Sequence, residues 1–489
     1  MSLVLLVATA LLLFLAPLPF GGNEEWAIFG LEASAAFLFA LHCLFSRESR
    51  PEATPPVALK NQFKLIGLAR SFGRVIFLLF LGALVFQIIP LPFSLIKFFS
   101  PAVSSIRLEA ERLLRGGELA LFSPEFGRLS LAPAATLSEL IKILAYAAFA
   151  FLIWSHVRTR RRVEFLVLVL IASGLFQAVY GLIGLWSGRQ MIFGWRNPYN
   201  QGSAFGTFVN RDHFAAYLEM TFALAVGYLL AKTDFFSLPR RATFRQRVLW
   251  FSQEKLAKAF ILGLVIVIMG VGIFFSRSRS AIINFFILLS AMSLALSWSG
   301  GRKEPKSKGE SAARRRWRRL LRTLALAVLL TVVIIGIKPI IERFSLESLA
   351  REMRPHFYQN AARLIRLHWA TGVGAGAFVY AYPHVEDMNI RGILDHAHND
   401  YLELLAEVGV IAGGAVILLT LAIFLLGFEV WQQRHDFFVR GVGLGSWAAF
   451  LALLVHSFSD FSLRMPANAL TFVAAISLGL RTLSLSRND

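Results

Sequence analysis

Two arginines separated by one serine, Arg277 and Arg279 in the bend FFSRSRSAI, sit between apolar stretches where a basic residue is costly. Planar guanidinium forks grip phosphate oxygens through two parallel hydrogen bonds, so this pair reads as an anion site, with headgroup snorkelling as the plainer alternative. A second stretch, GWRNPYNQGSAFGTFVNRDHFAAYLEM, supplies Arg196, Arg211 and His213; helix capping explains Asp212 there but not Arg211. In a third, GILDHAHNDYLELLAEVGVIAGG, Asp400, Glu403 and Glu407 fall at i, i+3 and i+7. That spacing lines three carboxylates along one helix face, where they must find partners inside a bundle. His396 and His398 precede them. Their spacing suits a metal in extended chain, but no further His or Cys cluster accompanies them. Structural hydrogen bonding and acid/base work both stay open for His398, and acid/base work is the preferred reading.

The elements that must position these residues are membrane helices. Of 489 residues 56% are hydrophobic and 16% charged, more apolar surface than a soluble fold can hide. Twelve apolar spans are expected, near residues 2–18, 26–45, 73–93, 138–156, 163–186, 213–231, 259–275, 280–298, 323–341, 401–428, 441–458 and 466–482. The first lacks a basic leader and a small-x-small cleavage site, which predicts a retained helix. The fold class is therefore all-α and polytopic. Basic segments at Arg47–Lys64, Arg158–Arg162, Lys232–Lys258 and Arg302–Arg322 alternate with poorer loops, which puts both termini in the cytoplasm. The three opposite segments, Lys97–Thr136, Ser187–Asp212 and Lys338–Asp400, are then external. The first carries a candidate interfacial helix at Ile106–Leu114, and the last predicts a partly helical cap. Four parts follow: residues 1–212, 213–337, the external loop 338–400, and 401–489.

Other readings fall away. A formal charge of +20 suggests nucleic acid, but the basic residues lie between apolar spans without base-stacking aromatics, so membrane lipids are the expected partner. The single cysteine, Cys43, excludes an internal disulfide framework. GVGAGA at Gly372–Ala377 matches a loose dinucleotide pattern with no strand before it; a tight turn or close backbone approach suits it better.

Taken in order, GTFVNRDHFAAYLEM, SRSRSAI, RPHFYQNAARLIRLHWATGVGAGAF, HAHNDYLELLAEVGVIAGG and HSFSDFSLRMPANAL resemble the motif series of the O-antigen ligase and polymerase superfamily over roughly residues 206–470. The most specific match is His398, Asn399, Leu402, Glu407, Gly409 and Gly413. The resemblance implies a GT-C-like membrane glycosyltransferase of the bacterial inner membrane. Such an enzyme moves a glycan from an undecaprenyl diphosphate carrier to an acceptor hydroxyl on the periplasmic side, with inversion and with neither metal nor cofactor. It implies catalytic roles for His398 as general base and for Arg279 and Arg211 on the diphosphate, with Arg196 the alternative first arginine. Substrate binding is expected of Arg196, His213, Arg277, Arg354, Arg363, Arg366, Asn399 and Glu403. Arg363 and Arg366 are the pair that could dock a phosphorylated lipid A core acceptor, which favours a ligase, or a second carrier diphosphate, which favours a polymerase. A transporter of anionic lipid is the competing class; it predicts internal repeats and charges near the midplane rather than at one face.

Overall fold

The computed structural model describes residues 2–45, 60–114, 125–199, 202–232, 254–298, 308–347, 352–387 and 393–485. Apolar runs of this length satisfy their backbone polar groups in lipid by coiling, and the chain is helical almost throughout. In order the helices are α1 (Ser2–Leu15), α2 (Glu25–Phe45), α3 (Lys60–Ile88), α4 (Phe93–Phe99), α5 (Pro101–Leu114), α6 (Pro133–His156), α7 (Arg160–Trp186), α8 (Arg211–Ala231) and α9 (Glu254–Phe275). There follow α10 (Arg279–Trp298), α11 (Lys308–Gly336), α12 (Lys338–Ile341), α13 (Arg354–Leu367), α14 (Phe378–Ala381), α15 (Asp400–Gln432), α16 (Phe437–His456) and α17 (Pro466–Ser484). Two short antiparallel pairs join β1 (Leu91–Pro92) to β2 (Phe126–Gly127) and β3 (Met191–Ile192) to β4 (Trp195–Arg196).

Among the described residues, eleven helices are long and apolar enough to cross a membrane. The expectation of twelve needs one correction. The first apolar span coils for only 14 residues, because Pro17 and Pro19 stop α1 after Leu15. At 1.5 Å per residue it reaches about 21 Å, short of a hydrocarbon core of about 30 Å. The described part of the 338–400 segment is partly helical, as α12, α13 and α14 show, and α5 forms with Glu109 and Arg112 exposed. Much of the basic sequence behind the expected topology, residues 46–59, 233–253 and 299–307, lies outside the described residues.

Small residues decide which helices meet. α8 is buried from His213 to Ala231 and runs antiparallel to α16. A methyl group at Gly227 would come 2.4 Å from the Gly445 Cα, and one at Gly441 would come 2.3 Å from the Ala231 nitrogen. Backbone approach of this kind holds helices together in lipid, where water provides no drive. Its consequence is that the start of α8 and the loop after α16 stand side by side.

α15 breaks at Gly409, whose φ of +80° and ψ of 164° leave the helical region. The carbonyls of Ala406 and Glu407 accept instead from the amides of Val373 and Gly374, at 3.0 and 2.9 Å. Gln87 of α3 completes the joint by donating to Thr371 O and Glu407 O at 2.6 and 2.8 Å. A methyl at Gly372 would lie 2.1 Å from the Glu407 carbonyl oxygen. The Gly372–Ala377 stretch is thus a turn pressed onto a broken helix. It fixes the first turns of α15, which carry the residues described next.

Candidate functional site

His398 sits one residue before the Asn399 cap of α15, at a φ of +51° that a side-chain-bearing residue adopts only when held there. The hold comes from α13 and from the loop between α16 and α17. Tyr358 donates its hydroxyl to His398 O at 3.0 Å, and the Phe357 ring stacks on the imidazole. Asn399 donates to Phe458 O at 2.9 Å while its side-chain oxygen accepts from Tyr401 and Leu402.

His398 Nδ1 lies 3.1 Å from an oxygen of Asp460. Asp460 is fully buried, and its other oxygen lies 3.4 Å from His213 Nε2. Burial alone would raise this carboxyl, but His213, the His398 hydrogen bond and the Arg354 charge hold it well below the usual carboxylate range. The His398 side chain keeps 24% exposure while its Nδ1 is oriented by Asp460. Phe461 separates the three nearby imidazoles, with its ring 4.6 Å from His213, 4.1 Å from His396 and 4.9 Å from His398. His396 is committed elsewhere, 2.7 Å from Glu403. Burial opposes charge on His396, yet Glu403 outweighs it and raises its pKa.

The arginines gather beside this dyad. Arg211, Arg279 and Arg354 are each the first residue of a helix, α8, α10 and α13. Helix N-termini and guanidinium groups repel one another and attract anions, so three together form an anion-seeking centre. Arg354 meets Asp212 at 3.2 Å and Glu352 at 3.7 Å, and Glu352 also pairs with Arg279. Arg211 reaches Ser203 Oγ at 3.2 Å. Arg277 lies against Gly202, where an added methyl would come 3.2 Å from its Nη1. Burial and the Arg211 charge push the Arg277 pKa down; burial, Arg211 and Arg279 do the same to Arg343, a residue the sequence reading passed over.

The remaining expected site residues lie apart from this centre. Glu403 is 1% exposed and bound to His396, the Ala397 amide and Arg464 at 3.1 Å. Arg464, also overlooked in the sequence, gathers Glu139, Glu403 and Glu407 around one guanidinium. The three-carboxylate face of α15 does pair inside the bundle: Asp400 accepts from Ser457 Oγ and the Leu463 amide at 2.8 and 3.1 Å. Arg363 is held at 2.5 Å by Asp387, which also meets His356 at 2.7 Å. Arg366 and Arg196 are exposed, and neither joins the arginine centre. His213 is buried behind Asp460 rather than open to a ligand.

Among the described residues, then, a buried carboxylate orients one partly exposed imidazole beside converging arginines. That arrangement can take a proton from a hydroxyl while stabilising charge on a phosphate leaving group. Comparison with known proteins bears on the same region. The family model for O-antigen ligase matches residues 264–417, a stretch that includes Arg277, Arg279, Arg343, Arg354 and His398. No curated protein matches the chain. Residues 264–417 are thus similar to the O-antigen ligase family, and that match supports a place for this membrane protein in the O-antigen ligase and polymerase superfamily.

Proposed function

We propose that the protein transfers a glycan from an undecaprenyl diphosphate carrier to an acceptor hydroxyl at the periplasmic face of the inner membrane. The observation that carries this reading is the His398–Asp460 dyad standing beside arginines at three helix N-termini. The donor brings its own leaving group, so the protein must neutralise a diphosphate and deprotonate a hydroxyl. Arg279 and Arg354 take the diphosphate oxygens, displacing carboxylates of Glu352 and Asp212 that hold them otherwise. His398 Nε2 accepts the acceptor hydroxyl proton as that oxygen bonds to the anomeric carbon and the carbon–phosphate oxygen bond breaks. Attack from the face opposite the leaving group inverts the anomeric centre. Asp460 steadies the imidazolium through Nδ1. Each charge-assisted hydrogen bond contributes about 1.5–3 kcal/mol, so the arginines supply a large share of the acceleration. Because guanidinium groups supply that positive charge, the reaction is proposed to need no metal.

The acceptor is proposed to be lipid A core, which makes the protein a ligase. Exposed Arg366 is the residue that remains available to an acceptor phosphate, since Arg363 is engaged by Asp387. Purified protein given carrier-linked repeats with and without lipid A core tests this. Transfer only when the core is added supports the ligase; longer carrier-linked chains from repeats alone would make it a polymerase.

A further inference from the structure

Two buried polar atoms face one another behind the dyad without a formed hydrogen bond. His213 Nε2 and Asp460 Oδ2 lie 3.4 Å apart, and neither has a hydrogen-bond partner among the described residues. A water bridging them at its own bond angle would hold them about 4.5 Å apart, so none lies between. A direct bond needs them to approach by about half an ångström. Buried donors and acceptors are almost always satisfied, which makes each of these atoms the partner of the other.

The fold seats both groups firmly. His213 lies in the first turn of α8, where Asn210 caps the helix by accepting from the Asp212 amide at 2.8 Å. The His213 carbonyl accepts from Asn468 Nδ2 of α17 at 3.1 Å, and the Phe461 ring stands edge-on to the imidazole at 78°. With 4% exposure His213 offers no surface to a substrate. A buried imidazole with an idle ring nitrogen costs more than an apolar ring of the same size, so the position uses the polar atom. Other charged and titratable groups also act on Asp460: Arg354 and Tyr358 from α13, Asp212 from α8 and His456 from the end of α16. Its two ion-pair partners among the described residues are His398, on one oxygen, and His213, on the other.

Resting on the function proposed above, we infer that His213 is a positioning residue for His398 and acts through Asp460. Its Nε2 donates to one carboxylate oxygen while His398 Nδ1 donates to the other, so the carboxylate cannot turn away from the base. The proton leaving the acceptor hydroxyl comes to rest on His398 Nε2. The Nδ1 proton stays on His398, Asp460 stays a carboxylate, and His213 stays neutral throughout. A carboxylate that already accepts from His213 is a weaker proton acceptor, which keeps the Nδ1 proton on the imidazole. Without that donor more negative charge faces His398, its protonated form is favoured, and a higher pH is needed to free the base.

Full-length protein in nanodiscs tests this, with carrier-linked glycan and lipid A core supplied and rates followed from about pH 5 to about pH 9. His213→Leu should lower kcat about tenfold on the plateau, move the acid limb of the profile to higher pH by about 0.5–1, and leave donor KM within about twofold. His213→Gln should recover most of the rate and the parent's acid limb, since its amide nitrogen reaches the place of Nε2 and donates without titrating. In an Asp460→Asn background His213→Leu should cost less than about twofold, because the carboxylate it serves is gone. Should His213→Leu fail to accumulate, His213→Met is read in the same way. An acid limb left in place by the apolar variant, a glutamine variant no better than the leucine one, or the full tenfold loss repeated in the Asp460→Asn background overturns the inference. If His398→Ala keeps the parent's rate, the proposed function itself fails; if His398→Ala is dead while His213→Leu matches the parent in rate and profile, only the role of His213 fails.

Discussion

The imidazole of His398 and the carboxylate of Asp460 stand 3.1 Å apart, brought together from positions 62 residues apart in the chain. The helix that follows His398 and the loop that holds Asp460 meet because Asp400, two residues on, binds Ser457 and Leu463 of that same loop. On the proposed function, Asp460 fixes Nδ1 and so holds the imidazole in the one tautomer that a general base needs. Asp460→Asn should keep the shape while removing the charge that steadies the imidazolium. The expected result is a loss of about 10²–10⁴ in kcat, in the range of general-base contributions, with donor KM little changed. Parent-like turnover in this variant would remove Asp460 from the mechanism.

Arg464 should matter to the fold more than to the chemistry. It is the shared partner of Glu139, Glu403 and Glu407, so Arg464→Ala takes the ion-pair partner from buried Glu407 and leaves Glu403 and Glu139 paired only with His396 and Lys142. Breaking a buried ion pair in this way costs about 3–5 kcal/mol, and the variant should melt well below the parent in detergent. Glu219 and His456, wholly buried and 3.2 Å apart beneath the site, make the same argument a second time. Glu219→Ala should destabilise strongly, while Glu219→Met combined with His456→Leu should recover much of the loss. An unchanged melting temperature in Arg464→Ala would show that these carboxylates have other support.

Acid should loosen the 338–400 segment through His368. Burial, with the like charge of His384 adding to it, pushes this imidazole down to about 4; its Nδ1 lies 3.5 Å from Ser100 Oγ. In the unfolded chain the same group protonates near its ordinary value of about 6.5. Between those values the unfolded state binds more protons, so stability is complete above about pH 6.5 and declines as pH falls towards 4. The decline is up to about 3 kcal/mol, read as a lower melting temperature. His368→Asn should flatten the profile in that window; a profile as steep as the parent's would assign the sensitivity to another group.

The basic segments predict which face the site occupies. Periplasm-dependent reporter fusions after Glu125, Arg196 and Glu386 should be active and one after Ser307 inactive. The reverse pattern would place the arginine centre in the cytoplasm, where the proposed donor geometry has no use.

Hydropathy made the helices legible, because lipid leaves a polar backbone no alternative to coiling. The exception was α1, where the apolar run continues past Leu15 but two prolines end the helix. Arg211, Arg277, Arg279 and His398 could be singled out because charge near a membrane rim is conspicuous. Asp460, Arg343 and Arg464 were no less charged, yet their importance depends on which loops face one another, and that is decided by contacts such as Gly227 on Gly445. Spacing did place Asp400, Glu403 and Glu407 on one face; it could not say that Arg464 would take up two of them. Arg363 illustrates the converse, since its partner Asp387 lies 24 residues on across a turn with no periodic signal.

Metal-independent glycan transfer by His398 with the arginine centre, as proposed, can be assayed outright. Purified protein in nanodiscs is given an undecaprenyl diphosphate-linked glycan and lipid A core, with chelator present, and the joined product is quantified for the parent, His398→Ala and Arg279→Ala. Undiminished transfer by the parent in chelator is expected, with a loss of about 10² or more in each variant. Transfer abolished by chelator, or full transfer by either variant, would contradict it.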